Sequence, residues 1–250
     1  MDRHRRERRE SWGIGIAPDR PEEIPSKPVG MIGYRKRQII LAMILAAVAG
    51  FVDGVGYLQL GGPFVSFMSG NSTRSSVGLA QGHWHEAAQG LAIIAGFVLG
   101  AVLGALIGRG GDPARRRPVL LTVGLLLVAA ALAHLADQPT LSIGAMVLAM
   151  GVVNAVFQKD GETGIGVTYM TGALVRVGHR IAAALRGGPP LAWTSSLLLW
   201  VSLCLGALCG ALAFAWVGLS GLWIPGIVVL GLAWMLSPTR KTAGGDASSG

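Results

Sequence analysis

The sequence predicts an all-α integral membrane protein. Six transmembrane helices form two inverted three-span halves, each with a non-spanning segment that carries a glycine bend and an arginine. Three observations predict this. The chain is 52% hydrophobic and only 14% charged, whereas soluble domains average roughly 25% charged residues. Its apolar runs approach the ~20 residues a helix needs to cross a bilayer. One phrase also occurs twice, VSFMSGNSTR from Val65 to Arg74 and VTYMTGALVR from Val167 to Arg176. The ten-residue alternating segments of a membrane β-barrel are absent.

Taken in order, residues 1–36 are basic and proline-containing, and their composition predicts a disordered cytoplasmic head. A secretory signal fits poorly. The charged region is too long, and the apolar run after it exceeds the ~7–15 residues of a signal core. The membrane domain is 37–236, with halves of about 37–137 and 138–236, and a disordered tail covers 237–250. Six apolar stretches fill the domain: Ile39–Leu60, Ala87–Gly108, Val119–Leu135, Leu141–Phe157, Leu191–Val217 and Gly221–Leu236. The third, fourth and sixth are short for a crossing and extend into their flanks. Each repeated phrase lies between two of these runs. It is too polar to face lipid and too apolar for an ordinary loop.

Charge sets the topology. If the two phrases do not cross and the N-terminus is inside, 20 of the 21 Lys and Arg residues fall on one side, with Arg74 the exception. Eight crossings would instead put Arg115, Arg116 and Arg117 outside, against the positive-inside rule. Both termini are therefore expected in the cytoplasm. The net charge of +8 orients helices and implies a lipid bilayer as partner, not a nucleic acid.

The repeat extends beyond the phrase. GFVDGV from Gly50 matches GVVNAV from Gly151, which pairs Asp53 with Asn154. Each half then has three crossings. An odd number turns the second half upside down, as in the inverted repeats of transporters and channels. One phrase would enter from each face. Ser69, Gly70 and Asn71, with Thr171 and Gly172, read as turns leading into short helices. Their side chains can cap free N–H groups, and the helix start favours an anion. Arg74 and Arg176 follow one turn later and add full charge. Asp53 is the one acid well inside a span, and such a group is costly unless it functions or is paired. It is assigned to coupling or gating, with an ion pair to Arg74 as the structural alternative. Asn154 is its counterpart and cannot titrate. Together these residues are expected to share one buried polar cavity. They point to a transporter or channel for a small, anionic solute. A scaffold with no transport activity is the alternative, and it predicts fully paired polar groups and no cavity.

Gly96, Gly100, Gly104 and Gly108 mark one helical face for close packing within the subunit or in a homo-oligomer. Cys204 and Cys209 read as small packing residues. His83, Trp84 and His85 read as an interfacial loop with an aromatic anchor. No nucleophile elbow, phosphate loop or metal-ligand cluster occurs, so neither an enzyme nor a cofactor is expected.

The segments AGFVDGVGYL, GGPFVSFMSGNSTR, GVVNAVF and GVTYMTGALVRVG resemble the hallmark segments of the YoaK family. These are bacterial six-span membrane proteins built on a domain of unknown function. The resemblance covers roughly Arg37 to Leu236. It implies a bacterial plasma (inner) membrane location and no particular substrate. The link FQKDGETGIG is more charged than the family pattern leads one to expect.

Overall fold

The computed structural model describes residues 36–108, 116–159, 162–163 and 168–236. The expectations for residues 1–35 and for the tail 237–250 fall outside these.

Every apolar run becomes helix. The helices are α1 (Lys36–Leu60), α2 (Met68–Ala80), α3 (Trp84–Ile107), α4 (Arg116–Leu135), α5 (Pro139–Val152), α6 (Met170–Leu185), α7 (Thr194–Val217) and α8 (Trp223–Met235). Pro139 begins α5, where its missing N–H costs no helical bond. A 3-10 turn, Val153–Phe157, extends α5. Two short strands, β1 (Gln158–Lys159) and β2 (Glu162–Thr163), then pair antiparallel. Among the described residues, five stretches are long and apolar enough to cross a membrane: Lys36–Leu60, Trp84–Ile107, Arg116–Leu135, Pro139–Phe157 and Thr194–Met235. The last spans 42 residues and is broken at Gly218, whose φ of 60° ends α7. The repeated phrases become α2 and α6, and neither is among the five.

The core runs along α1, α4 and α5, where Leu45, Val52, Leu120, Leu127, Met146 and Met150 are fully buried. By contrast, Leu99, Val102 and Leu106 of α3 and Leu205, Leu208 and Leu212 of α7 are exposed. On a soluble protein such faces would be anomalous; on a membrane protein they meet lipid. Trp84, Trp216 and Trp234 stand exposed at helix ends; in membrane proteins indole rings at such places anchor in the headgroup region.

Helices pair across the two halves: α1 with α7, α3 with α5, and α4 with α8. Glycine permits the first two contacts, because the backbones touch. A Cβ on Gly50 would overlap the Leu203 carbonyl, on Gly206 the Ala47 carbonyl, and on Gly210 the Phe51 carbonyl. The α3–α5 crossing repeats this. Gly151 meets the Phe97 carbonyl, Gly100 that of Leu148, and Gly104 that of Val152. Leu148 and Val152 stand to Gly151 as Ala47 and Phe51 stand to Gly50. The α4–α8 contact is reciprocal with itself: Gly124 packs on Leu230, and Gly226 on Val128. The glycine face of α3 is thus used within the chain. Gly100 and Gly104 lie on α5, Gly96 meets Val147, and Gly108 lies near Val119 and the Ala155 carbonyl.

Candidate functional site

The first phrase is held from both sides. Gly61 and Gly62, with φ of 67° and 129°, turn the chain out of α1. The loop that follows buries Val65 and Ser66, and their backbone groups must find protein partners. Asp53 of α1 supplies them. Its Oδ1 accepts the N–H of Val65 at 2.9 Å and of Ser66 at 2.8 Å, and its Oδ2 accepts the Ser66 hydroxyl. Asn71 of α2, fully buried, closes the other side. Its Oδ1 accepts the Phe64 N–H at 2.9 Å, and its Nδ2 donates to the Phe64 carbonyl at 2.6 Å.

This corrects two expectations. Asp53 forms no ion pair with Arg74 among the described residues; its oxygens hold backbone instead. Ser69, Gly70 and Asn71 also do not cap α2. That helix begins earlier, at Met68, after Phe67, and no side chain caps it. Gly70 has a different role: the Phe67 ring lies where its Cβ would be.

The second phrase repeats the plan with weaker bonding. Asn154 donates to the Met150 carbonyl at 2.9 Å and accepts the Thr168 hydroxyl at 3.1 Å. Thr168 occupies the place of Ser66. The Tyr169 ring lies on Gly172 as Phe67 lies on Gly70. Helix α6 begins at Met170, after Tyr169, and no side-chain cap bond is made there among the described residues.

The predicted site residues do not share one cavity. A cleft of about 510 Å³ joins the halves, with Asp53, Phe64 and Phe67 facing Thr168, Thr171 and Ala207. A second, of about 460 Å³, contains Ser69, Gly70, Thr73 and Arg74. Tyr57, Phe64 and Phe67 line both. Their rings touch in sequence, the first pair tilted and the second edge-to-face, with centroids 5.1 and 5.3 Å apart, and form a partition between the clefts. Asn154 lines a third cleft, of about 320 Å³, between α5 and α3. Arg176 lines none of the three. The Arg74 guanidinium lies over Gly62, and a Cβ there would be 2.9 Å from one of its nitrogens. It is exposed and has no hydrogen bond or ion pair among the described residues. The Nε of Arg176 is buried without a partner among the described residues. Burial, then the nearby Arg180 charge, lowers the Arg176 pKa, and Tyr169 opposes them.

With this geometry in view, the comparisons with known proteins place the chain. A family model described as "Protein of unknown function (DUF1275)" matches residues 41–235. The chain belongs to the DUF1275 family. The matched region contains both phrases, with Asp53, Asn71 and Asn154, and the three clefts described above. Among curated relatives, the UPF0700 transmembrane protein RA0705 of Rhizobium meliloti (strain 1021) is 38% identical over 204 residues, covering 80% of this chain and 87% of its own. The UPF0700 transmembrane protein YoaK of Bacillus subtilis (strain 168) is 28% identical over 152 residues, covering 58% and 68%. The resemblance to YoaK read from the motifs therefore holds. No solved structure matches. Transmembrane relatives and apolar helices together make this DUF1275 chain a multi-pass membrane protein.

Within the DUF1275 region the sequence reading missed Arg180. One of its terminal nitrogens donates to the Ala192 carbonyl at 2.9 Å, to Ser195 at 3.2 Å and to Ser196 at 3.1 Å. It fastens α6 to the start of α7. In the sequence it looked like one more orienting charge, since its partners lie beyond a loop of unremarkable residues. The aromatic partition was also missed. Tyr57, Phe64 and Phe67 have no helical or strand period that would bring their rings together.

Proposed function

We propose that this protein is a six-span transporter or channel for a small anionic solute, built from two inverted halves. It would sit in the bacterial plasma membrane with both termini in the cytoplasm. The observation that carries the reading is the 510 Å³ cleft, walled by Asp53 and the Phe64–Phe67 loop of one half and by Thr168 and Thr171 of the other. The interface between inverted repeats is where such proteins bind their solutes. Reciprocal glycine contacts support a twofold relation between the halves, and three crossings per half would make it an inversion. Exchanging the halves maps the α1–α7 crossing onto α5–α3 and the α4–α8 crossing onto itself. Chain length supports six crossings. A straight helix over the 42 residues of Thr194–Met235 would measure ~63 Å, twice the ~30 Å of a hydrocarbon core. The break at Gly218 lets α7 and α8 pass separately.

Arg74 supports the anionic solute, because it is unpaired and lies one aromatic partition away from the cleft between the halves. Asp53 gates by holding the loop that carries the partition, since its oxygens are already committed. Asn154 holds the corresponding segment with one neutral bond. The scaffold alternative expects paired polar groups and no cavity. Asp53 and Asn71 are paired, but open clefts lie beside them.

Two measurements test this. In a chain with Cys204 and Cys209 replaced by Ala, new cysteines at Ala114 and Ser237 should both label from the cytoplasm. Opposite sides would end the six-span reading. Liposomes containing the purified protein should pass at least one of chloride, nitrate, phosphate and acetate faster than empty liposomes. Arg74→Ala should lower that flux roughly 10- to 100-fold, the loss of a charged contact worth about 1.5–3 kcal/mol. Undiminished flux in a variant that inserts normally would remove Arg74 from the pathway.

A further inference from the structure

Helix α6 has three distinct flanks. Met170 and Ala173 are buried, and with Arg180 they form the side that packs on α7. Beside them run Leu174, Ile181 and Leu185, exposed by 43, 39 and 83%. Residues three, four and seven apart share a helical face, so these three make one apolar stripe. Arg176, His179 and Arg186 occupy the opposite flank. His179 and Arg186 are exposed, and Arg176 is half-buried. The Arg186 Nε donates to the Ala182 carbonyl at 3.1 Å, which steadies its guanidinium at the helix end.

A helix with an exposed apolar stripe and an opposed basic flank lies in the plane of a membrane interface. Its leucines enter the acyl region while its basic side chains stay at headgroup depth. We propose that the basic flank of α6 binds the headgroups of anionic phospholipids through Arg176, His179 and Arg186. Charge complementarity selects the anionic headgroup. The exposed Arg186 guanidinium supplies donors that a phosphate oxygen satisfies with charge-assisted bonds. The Leu174–Ile181–Leu185 stripe on the other side of α6 selects a lipid over a free anion, because it needs acyl chains beside the same helix. Helix α2 has no such flank, since Arg74 is its one basic residue. The inference does not depend on transport; it needs only a membrane protein with α6 at the interface.

The test uses the full chain, purified in a neutral detergent and heated with added phosphatidylglycerol, phosphatidylcholine or inorganic phosphate. Phosphatidylglycerol should raise the unfolding midpoint by several degrees, and the other two should not. A variant carrying Arg176→Gln, His179→Gln and Arg186→Gln should lose more than half of that rise. If it cannot be purified, His179→Gln with Arg186→Gln, both exposed positions, should still cut the rise. An equal rise with phosphatidylcholine, an equal rise with phosphate, or a rise unchanged in the variants would each overturn the proposal.

Discussion

Asp53→Ala is expected to lower the stability of the protein by about 2–6 kcal/mol. Two backbone donors, Val65 N–H and Ser66 N–H, lose their acceptor, and each buried donor left unpaired costs about 1–3 kcal/mol. Water cannot replace the carboxylate cheaply, because Val65 and Ser66 are buried. Asp53→Asn should cost far less. The amide oxygen can still accept both N–H groups, and the Ser66 hydroxyl can turn to accept from the amide nitrogen. Asn154→Ala should cost about 1 kcal/mol, since it frees one hydroxyl that can rotate. Thermal unfolding in detergent provides the measurement. If Asp53→Ala were as stable as the parent, Asp53 would not be the clamp of this loop, and a role as an open ion ligand would return.

Gly100→Ala and Gly206→Ala should both be severely destabilising, and to a similar degree. Elsewhere in a helix, alanine gains about 0.8–1 kcal/mol over glycine. Here the new methyl overlaps a backbone carbonyl, that of Leu148 or Ala47, and a carbonyl cannot move aside like a side-chain tip. Helices α3 and α7 must then separate from α5 and α1, at a cost beyond the roughly 1–3 kcal/mol of ordinary overpacking. Gly144→Ala and Gly231→Ala are the controls, because nothing lies within 4 Å of a Cβ at either position. They should be neutral or slightly stabilising. Yield and unfolding midpoint of the four variants decide the matter. Tolerance at Gly206 with loss at Gly100 would show that the two crossings are not equivalent.

The helices were legible in the sequence because a bilayer demands long apolar runs and little else can produce them. Their pairing was not. The period of Gly96 to Gly108 announced a close contact, but nothing in it named α5 as the partner. Gly50 and Gly151 stood out as repeat positions, yet that they touch carbonyls of α7 and α3 depends on three-dimensional crossing geometry. Asp53 was conspicuous as an acid in a span. Its partners were not legible, because backbone N–H groups occur at nearly every residue and leave no mark in a sequence. Gly70 and Gly172 were recognised as special for the wrong reason. Each accommodates an aromatic ring three residues earlier, Phe67 or Tyr169, and makes no bend. Arg74 and Arg176 looked alike in the repeat. They separate in the structure because Arg74 reaches back over Gly62 into a cleft, while Arg176 lies on the basic flank of α6.

The inversion of the two halves underlies the whole account, and one labelling experiment tests it most directly. Gln81 follows α2 and Pro189 follows α6, both at exposed positions. Each is replaced by cysteine in turn, in the chain lacking Cys204 and Cys209, and intact cells are treated with a membrane-impermeant maleimide. Inverted halves require Gln81→Cys to react in intact cells and Pro189→Cys to react only after the membrane is opened. Reaction of both from the same side would mean that the halves run in parallel, and the inverted architecture with its cleft between opposed halves would be wrong.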